Sequence, residues 1–306
     1  MQRRPYGNTG VELSILGFGG IVVAKLEQEE ANRIVAEAVE RGVNYFDVAP
    51  TYSDAEEKLG PALEPYRKHV FLACKTGERS KEAASAELAR SLERLRTDHV
   101  DVYQLHGLSS VEEVEQVFAP DGAMEVFEAA KREGKARFLG FSAHSVEAAL
   151  LALDRYPFDS VLFPFNFVCW FGGFGPQVLE AAKGKGAARL ALKAVARTNW
   201  PGEERRHPKC WYEPYDDFEV ASLAFRWTLS HDITAAVSPG QHELWPMMME
   251  IADSFRPVTA EEEGRLHELA MPLTPIFTAA YSPEAGDTRL PHDAEGQGLV
   301  TIAVMR

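Results

Sequence analysis

This 306-residue chain lacks long hydrophobic runs, paired cysteines and an excess of basic charge. Its three cysteines, Cys74, Cys169 and Cys210, are far apart and none belongs to a CxxC pair, so neither a zinc site nor an iron–sulfur site is indicated. No apolar stretch approaches the roughly 18 residues of a membrane span. The net charge of −14 argues against nucleic acid and anionic membranes as partners.

What is present is typical of a soluble globular protein, with 45% hydrophobic and 25% charged residues. The basic start, Met1 to Arg4, is followed by a polar stretch rather than by an apolar run, unlike a signal peptide. We therefore expect the protein to be located in a reducing cytoplasm. No repeat or low-complexity segment divides the chain, which predicts a single domain over residues 1–306.

Short apolar segments alternate with amphipathic helical segments, which predicts a parallel sheet. The predicted strands are 15–18, 43–48, 70–74, 100–105, 137–141, 161–165, 190–195 and 233–237. The predicted helices are 28–41, 55–66, 81–96, 123–133, 145–156, 177–185 and 219–229. Other predictions are a hairpin within 4–23, loops over 107–122 and 197–214, and a short strand at 299–304.

Polar residues follow three successive predicted strands. They are Asp47, Lys75 and His106, and Tyr52 comes shortly after the first of them. In a parallel barrel such strand ends meet on one face. Taken alone, Asp47 and Tyr52 fit a helix cap and a packing residue equally well. As a set, the four suit proton transfer: a lysine within about 4–6 Å lowers the pKa of a tyrosine, which can then protonate an oxygen as hydride reaches the adjacent carbon.

In these residues the chain resembles the aldo-keto reductase family. The resemblance rests, in family order, on Gly7-Asn8-Thr9-Gly10, Phe46-Asp47-x-Ala49-x-x-Tyr52, Glu56, Leu59-Gly60, Lys75, His106, Gly140-Phe141-Ser142 and Ser238-Pro239-Gly240. It implies a (β/α)8 TIM barrel with an N-terminal β-hairpin at its bottom, and NADPH-dependent reduction of aldehydes and ketones. It also implies Tyr52 as the general acid, Asp47 and Lys75 as the pair that tunes it, and His106 as the residue that orients the carbonyl.

The resemblance also implies a set of cofactor-binding residues. They are Gly19, Gly20, Ser142, Asn166, Lys193, Ser238, Gly240 and His242. Ser142 and Asn166 would hydrogen-bond the nicotinamide carboxamide; the alternative is that both cap loop backbone. Gly19-Gly20 either admits a ligand close to the backbone or forms a plain turn. Leu192 stands where many family members have a tyrosine that stacks on the nicotinamide, and leucine has no π-face.

The 2′-phosphate that distinguishes NADPH from NADH has no obvious partner. In most family members an Arg or Lys just past the glycine that corresponds to Gly240 binds this phosphate, and segment 238–250 has neither residue. His242 is its only possible cation and is mostly neutral at pH 7. We therefore predict NADPH as cofactor, with NADH also possible, weak binding and little discrimination. The alternative is that Arg205 or Arg206 of the long loop restores the contact.

The sequence thus predicts an NAD(P)H-dependent reductase of small-molecule carbonyl compounds, a monomer or weak homo-oligomer that needs no metal. The rival interpretation is a non-catalytic protein of the same fold that binds cofactor or a partner as a sensor or subunit, since fold alone does not fix function. A metal-dependent barrel hydrolase is disfavoured because the strand ends lack a His-x-His pair.

Overall fold

Short apolar segments form the eight parallel strands of a closed barrel in the computed structural model, which describes residues 1–279. In chain order the strands are β1 (Arg3–Pro5), β2 (Glu12–Ser14), β3 (Leu16–Gly19), β4 (Tyr45–Asp47), β5 (Phe71–Thr76), β6 (Val100–Leu108), β7 (Ala136–Ala143), β8 (Ser160–Pro164), β9 (Ala188–Leu192), β10 (Ala196–Thr198), β11 (Glu213–Pro214) and β12 (Ala235–Val237). The barrel order is β12-β3-β4-β5-β6-β7-β8-β9. It closes because β12 pairs in parallel with both β3 and β9. The predicted (β/α)8 architecture is confirmed.

Amphipathic helices surround the barrel. They are α1 (Gln28–Glu40), α2 (Ala55–Leu63), α3 (Lys81–Arg94), α4 (Val111–Phe118), α5 (Met124–Arg132), α6 (Val146–Arg155), α7 (Phe167–Phe171), α8 (Pro176–Gly184), α9 (Phe218–Ser230), α10 (Trp245–Asp253) and α11 (Ala260–Ala270). In α1 the buried residues Ala31, Ile34, Val35 and Ala38 follow the spacing of one helical face. Gly42 then adopts a left-handed φ of 89°, which favours glycine after a helix.

The N-terminal hairpin lies at the bottom of the barrel, as predicted. Its strands β1 and β2 pair antiparallel. The Tyr6 hydroxyl donates to Ser160 Oγ at 2.7 Å, at the start of β8. Arg4 Nη1 donates to the carbonyl oxygen of Ile233 at 2.7 Å, just before β12. Both contacts are made at the N-terminal ends of barrel strands, so the opposite end is left open.

The barrel interior is filled by apolar side chains from alternate strand positions. These include Tyr45, Phe71, Ala73, Val102, Leu162, Leu190 and Ala235. Because side chains two positions apart point to the same side of a strand, Asp47 follows Tyr45 inward and Lys75 follows Ala73. His106 follows Val102 in the same way, four positions on. The three predicted polar strand ends therefore emerge together at the open end of the barrel.

The loop predicted over residues 107–122 is wrong for most of its length. Strand β6 continues to Leu108, and α4 occupies Val111–Phe118. The Ser110 hydroxyl oxygen accepts from the backbone N–H of Glu113 at 3.3 Å, which caps the helix. Val114 and Val117 are buried. The helix is only eight residues long, so its apolar face shows just these two positions in the sequence.

Regular structure is found at both ends of the segment after β9. Strands β10 and β11 pair antiparallel at the two ends of the predicted 197–214 loop. The strand predicted at 299–304 lies outside the described residues. Within residues 1–279, no helix combines the length and the apolarity that crossing a membrane requires.

Candidate active site

A buried ion pair joins the ends of β4 and β5. Lys75 Nζ donates to Asp47 Oδ1 and, at 3.2 Å, to the carbonyl oxygen of Val48. Both charged side chains are 1% exposed, and the Tyr45 hydroxyl donates to Asp47 Oδ2 at 3.2 Å. Burial alone would lower the pKa of Lys75, but the Asp47 carboxylate outweighs it and raises that pKa above its ordinary value. The pair therefore holds a positive charge beneath the open end of the barrel.

Tyr52 lies beside this charge. The centre of its ring is 5.4 Å from Lys75 Nζ, and the side chain is 9% exposed. Burial raises the pKa of the Tyr52 phenol, and the lysine charge opposes that rise without reversing it. The expectation of a lowered pKa was therefore wrong for this structure, because it considered the lysine and not the burial.

His106 completes the predicted group of four. Its ring centre is 5.7 Å from that of Tyr52, with the planes at 83°. Its Nδ1 lies 3.5 Å from the Thr51 hydroxyl oxygen. Burial, helped by the charge of Lys75, lowers the pKa of His106 to about 3. The imidazole is therefore neutral at pH 7 and can donate one N–H to an oxygen.

Asp47, Tyr52 and His106 line a cavity of about 470 Å³ at the C-terminal ends of the strands. Four predicted cofactor-binding residues line it too: Gly19, Lys193, Ser238 and Gly240. The other four are not part of its lining. A β-carbon on Gly20 would be 2.9 Å from the Val48 side chain, so this glycine serves packing. His242 Nδ1 is 3.1 Å from Glu243 Oε2.

Ser142 and Asn166 hold loop backbone, as the alternative interpretation expected. Ser142 Oγ accepts from the N–H of Gly107 at 2.8 Å. Asn166 Oδ1 accepts from the N–H of Cys169 at 2.9 Å and caps α7. Asn166 Nδ2, however, is buried and has no hydrogen-bond partner within residues 1–279. A free donor therefore remains at the end of β8.

Lys209 in the long loop was missed by the sequence reasoning. Its backbone N–H donates to Gln241 Oε1 at 3.2 Å, and its Nζ donates to the carbonyl oxygen of Val22 at 3.0 Å. A β-carbon on Gly240 would lie 2.8 Å from the carbonyl oxygen of Lys209. Glycine at position 240 thus lets the loop carry a lysine to the end of β12.

The two arginines suspected of this role lie elsewhere. Arg206 pairs with Asp216 and is 67% exposed, and Arg205 is exposed. Trp211, from the same loop, has its ring centre 5.8 Å from that of Tyr52 and so forms part of the cavity wall. Which loop residue would turn inward could not be read from composition, because it depends on the path of the loop.

His144 and Phe277 form a further wall that was not predicted. Their rings stack with centres 4.9 Å apart and planes at 15°. Phe277 also stacks on Phe174 at 5.5 Å, and Lys193 Nζ lies 5.2 Å from its ring centre. The position of His144 just beyond a strand end could have suggested it. Phe277 comes after α11, and no local pattern connects it with this site.

The aldo/keto reductase family model matches residues 15–209, more than half of the chain. The chain belongs to this family. It is 33% identical to an oxidoreductase of Bacillus subtilis strain 168 over 47% of this chain, and spans about half of that relative, 49% of its length. L-galactose dehydrogenase of Arabidopsis thaliana is 28% identical over 68% of this chain and 70% of its own.

Two further similarities bear on cofactor and fold. The NADH-specific methylglyoxal reductase of Escherichia coli K12 is 29% identical over 74% of this chain and 80% of its own. The holo form of an aldo-keto reductase from Bacillus halodurans superposes with a TM-score of 0.71 at 25% identity, covering 93% of this chain and 99% of that one. Family membership supports an oxidoreductase of carbonyl compounds.

Proposed function

We propose that this protein reduces small aldehydes or ketones with NAD(P)H and that Tyr52 is the general acid. The observation that carries the proposal is the buried Asp47–Lys75 pair beneath Tyr52, with neutral His106 beside it at the open end of the barrel. Membership of a reductase family and an NADH-specific relative support the reaction class and the cofactor class.

The four residues divide the proton chemistry among them. A bound nicotinamide cofactor would supply the hydride. Because burial raises its pKa, Tyr52 keeps its proton until negative charge develops on the carbonyl oxygen. Once Tyr52 donates that proton, the Lys75 ammonium stabilises the resulting phenolate. His106, neutral at pH 7, donates an N–H to the same oxygen and thereby orients the carbonyl.

The cavity has features that suit a nicotinamide dinucleotide. Gly19 and Gly240 lie at the ends of β3 and β12, and both line the cavity together with Ser238. The unpartnered Asn166 Nδ2 could donate to a carboxamide oxygen, and Ser142 lies on the neighbouring strand β7. Gly20, Lys193 and His242 remain predictions as cofactor contacts.

Weak discrimination between NADPH and NADH is part of this proposal. Arg205 and Arg206 are exposed, so neither supplies the missing basic residue for the 2′-phosphate of NADPH. Lys209 is the basic residue at the end of β12, but its Nζ already donates to the carbonyl oxygen of Val22. Glu243 lies close enough to Lys209 to act on its pKa, and a carboxylate there opposes a further phosphate.

Replacing Tyr52 with phenylalanine tests the proposal. Tyr52→Phe removes one hydroxyl, and turnover with NADH or NADPH and a panel of aldehydes should fall about 10²–10⁴-fold. Cofactor affinity, followed by tryptophan fluorescence, should not change. Tyr156→Phe, at the end of α6 and away from the cavity, is the matched control. Undiminished turnover in Tyr52→Phe would contradict the assignment, and a wild type that turns over no carbonyl compound would favour the non-catalytic interpretation.

A further inference from the structure

Lys193 is held in an unfavourable backbone conformation at the end of β9. Its φ is 59°, in the left-handed region that residues other than glycine rarely adopt. Such strain persists only where the surrounding structure enforces it, and it concentrates at functional sites. A glycine would relieve the strain, so the lysine side chain itself is the feature to explain.

The contacts of the Lys193 ammonium within residues 1–279 include no carboxylate. Its Nζ lies 3.2 Å from His144 Nε2, which accepts because an ammonium can only donate. Within residues 1–279, no carboxylate comes within 4.0 Å of it, and no other hydrogen-bond acceptor is recorded for its remaining N–H groups. In a chain of net charge −14, a half-buried lysine whose contacts within residues 1–279 include no counter-ion is suited to binding an anion.

The charge of the rest of the cavity lining is also positive. Among residues 1–279, its only carboxylate is Asp47, which Lys75 neutralises, and its other charged residues are Lys193 and Lys209. The two histidines in the lining are neutral, because burial lowers the pKa of both His106 and His144 to about 3. The cavity therefore favours a ligand that carries negative charge.

The two lysines lie in different parts of the cavity. Lys209 lies at the end of β12, beside Gly240, one of the predicted cofactor-binding residues. Lys193 instead reaches towards His144, the residue after β7. The charge of Lys193 acts on His106, the residue that would orient the carbonyl. An anion at Lys193 therefore belongs to a molecule whose carbonyl lies at His106.

We propose that Lys193, fixed by its hydrogen bond to His144, binds a carboxylate on the substrate, so that the preferred substrates are aldehydes or ketones with a carboxylate elsewhere in the molecule. The inference rests on the proposed function, since it assigns a substrate class to the same cavity. A phosphate of the cofactor is the other source of an anion, and the experiment separates the two.

Two aldehydes of matched shape provide the test. 4-Carboxybenzaldehyde carries a carboxylate, and its methyl ester is neutral. For the wild type, kcat/KM should favour the acid over the ester. Loss of one charge-assisted hydrogen bond in Lys193→Gln should lower this ratio by at least about 10-fold, and Lys193→Arg should restore much of it. Lys185→Gln, an exposed lysine paired with Asp154, controls for the change in net charge.

Binding measurements make the test independent of turnover. Benzoate, titrated by tryptophan fluorescence, should bind the wild type at least about 10-fold more tightly than Lys193→Gln. Equal benzoate affinity, or an unchanged acid-to-ester ratio, would overturn the inference. So would a variant that loses NADH and NADPH affinity while the ratio is kept, because Lys193 would then serve the cofactor. If the wild type bound benzoate selectively but reduced neither aldehyde, the proposed function would fail and the anion site would stand.

Discussion

The Asp47–Lys75 pair allows a quantitative prediction about stability. In Lys75→Met, Asp47 stays 1% exposed without its cation, and breaking such a buried pair costs about 3–5 kcal/mol. The carboxyl group can escape by taking up a proton. At pH 7, protonating a group of ordinary pKa about 3.9 costs about 4 kcal/mol. That sets an upper limit, so we expect the free energy of unfolding to fall by about 3–4 kcal/mol.

The same argument predicts how the loss depends on pH. In the variant, folded Asp47 holds a proton more tightly than the unfolded chain does, so its folded pKa is raised. The penalty is therefore small near the unfolded pKa and grows as pH rises above it. At pH 5, protonation costs only about 1.5 kcal/mol. The difference between wild type and Lys75→Met should shrink by more than half between pH 7 and pH 5.

Guanidinium unfolding followed by tryptophan fluorescence at both pH values measures this difference. The double variant Asp47→Asn/Lys75→Met removes both charges and should be more stable at pH 7 than Lys75→Met alone. Lys81→Met breaks an ion pair with Glu125 in which both side chains are about half exposed and should leave stability nearly unchanged. A Lys75→Met variant as stable as wild type at pH 7, or equally destabilised at both pH values, would refute the reasoning.

Two further predictions concern the histidines and the cofactor. His106 and His144 have folded pKa values of about 3, below the unfolded value of about 6.5, so their contribution to the free energy of unfolding should be complete above pH 6.5 and should fall below that pH by up to about 1.4 kcal/mol per pH unit for each histidine. His144→Gln should halve this slope, and a free energy of unfolding that stays constant between pH 6.5 and 5 would contradict the prediction. Titration by fluorescence should show NADPH binding less than about 100-fold more tightly than NADH, because one or two charge-assisted hydrogen bonds are missing; a larger ratio would contradict the proposed cofactor contacts.

Prediction from the sequence succeeded where the determinants are local. Asp47 ends β4, Lys75 is the second-last residue of β5 and His106 lies two residues before the end of β6, and parallel pairing brings these positions together. The same approach missed α4, whose apolar face is too short to show a helical period. It also missed Lys209 and Phe277, because their places depend on the path of a loop and of the segment after α11.

Burial explains why the direction of the Tyr52 pKa shift was misjudged, and it unifies the site. It disfavours charge on every group, so it raises the pKa of Tyr52 and lowers those of His106, His144 and Lys193. The pKa of Lys75 is raised instead, because Asp47 pairs with it. Tyr52 and His106 therefore wait as neutral donors, and the one fixed positive charge beside them acts when an oxyanion forms. A sequence pattern can place a lysine near a tyrosine, but only the enclosed cavity decides which of them is charged beforehand.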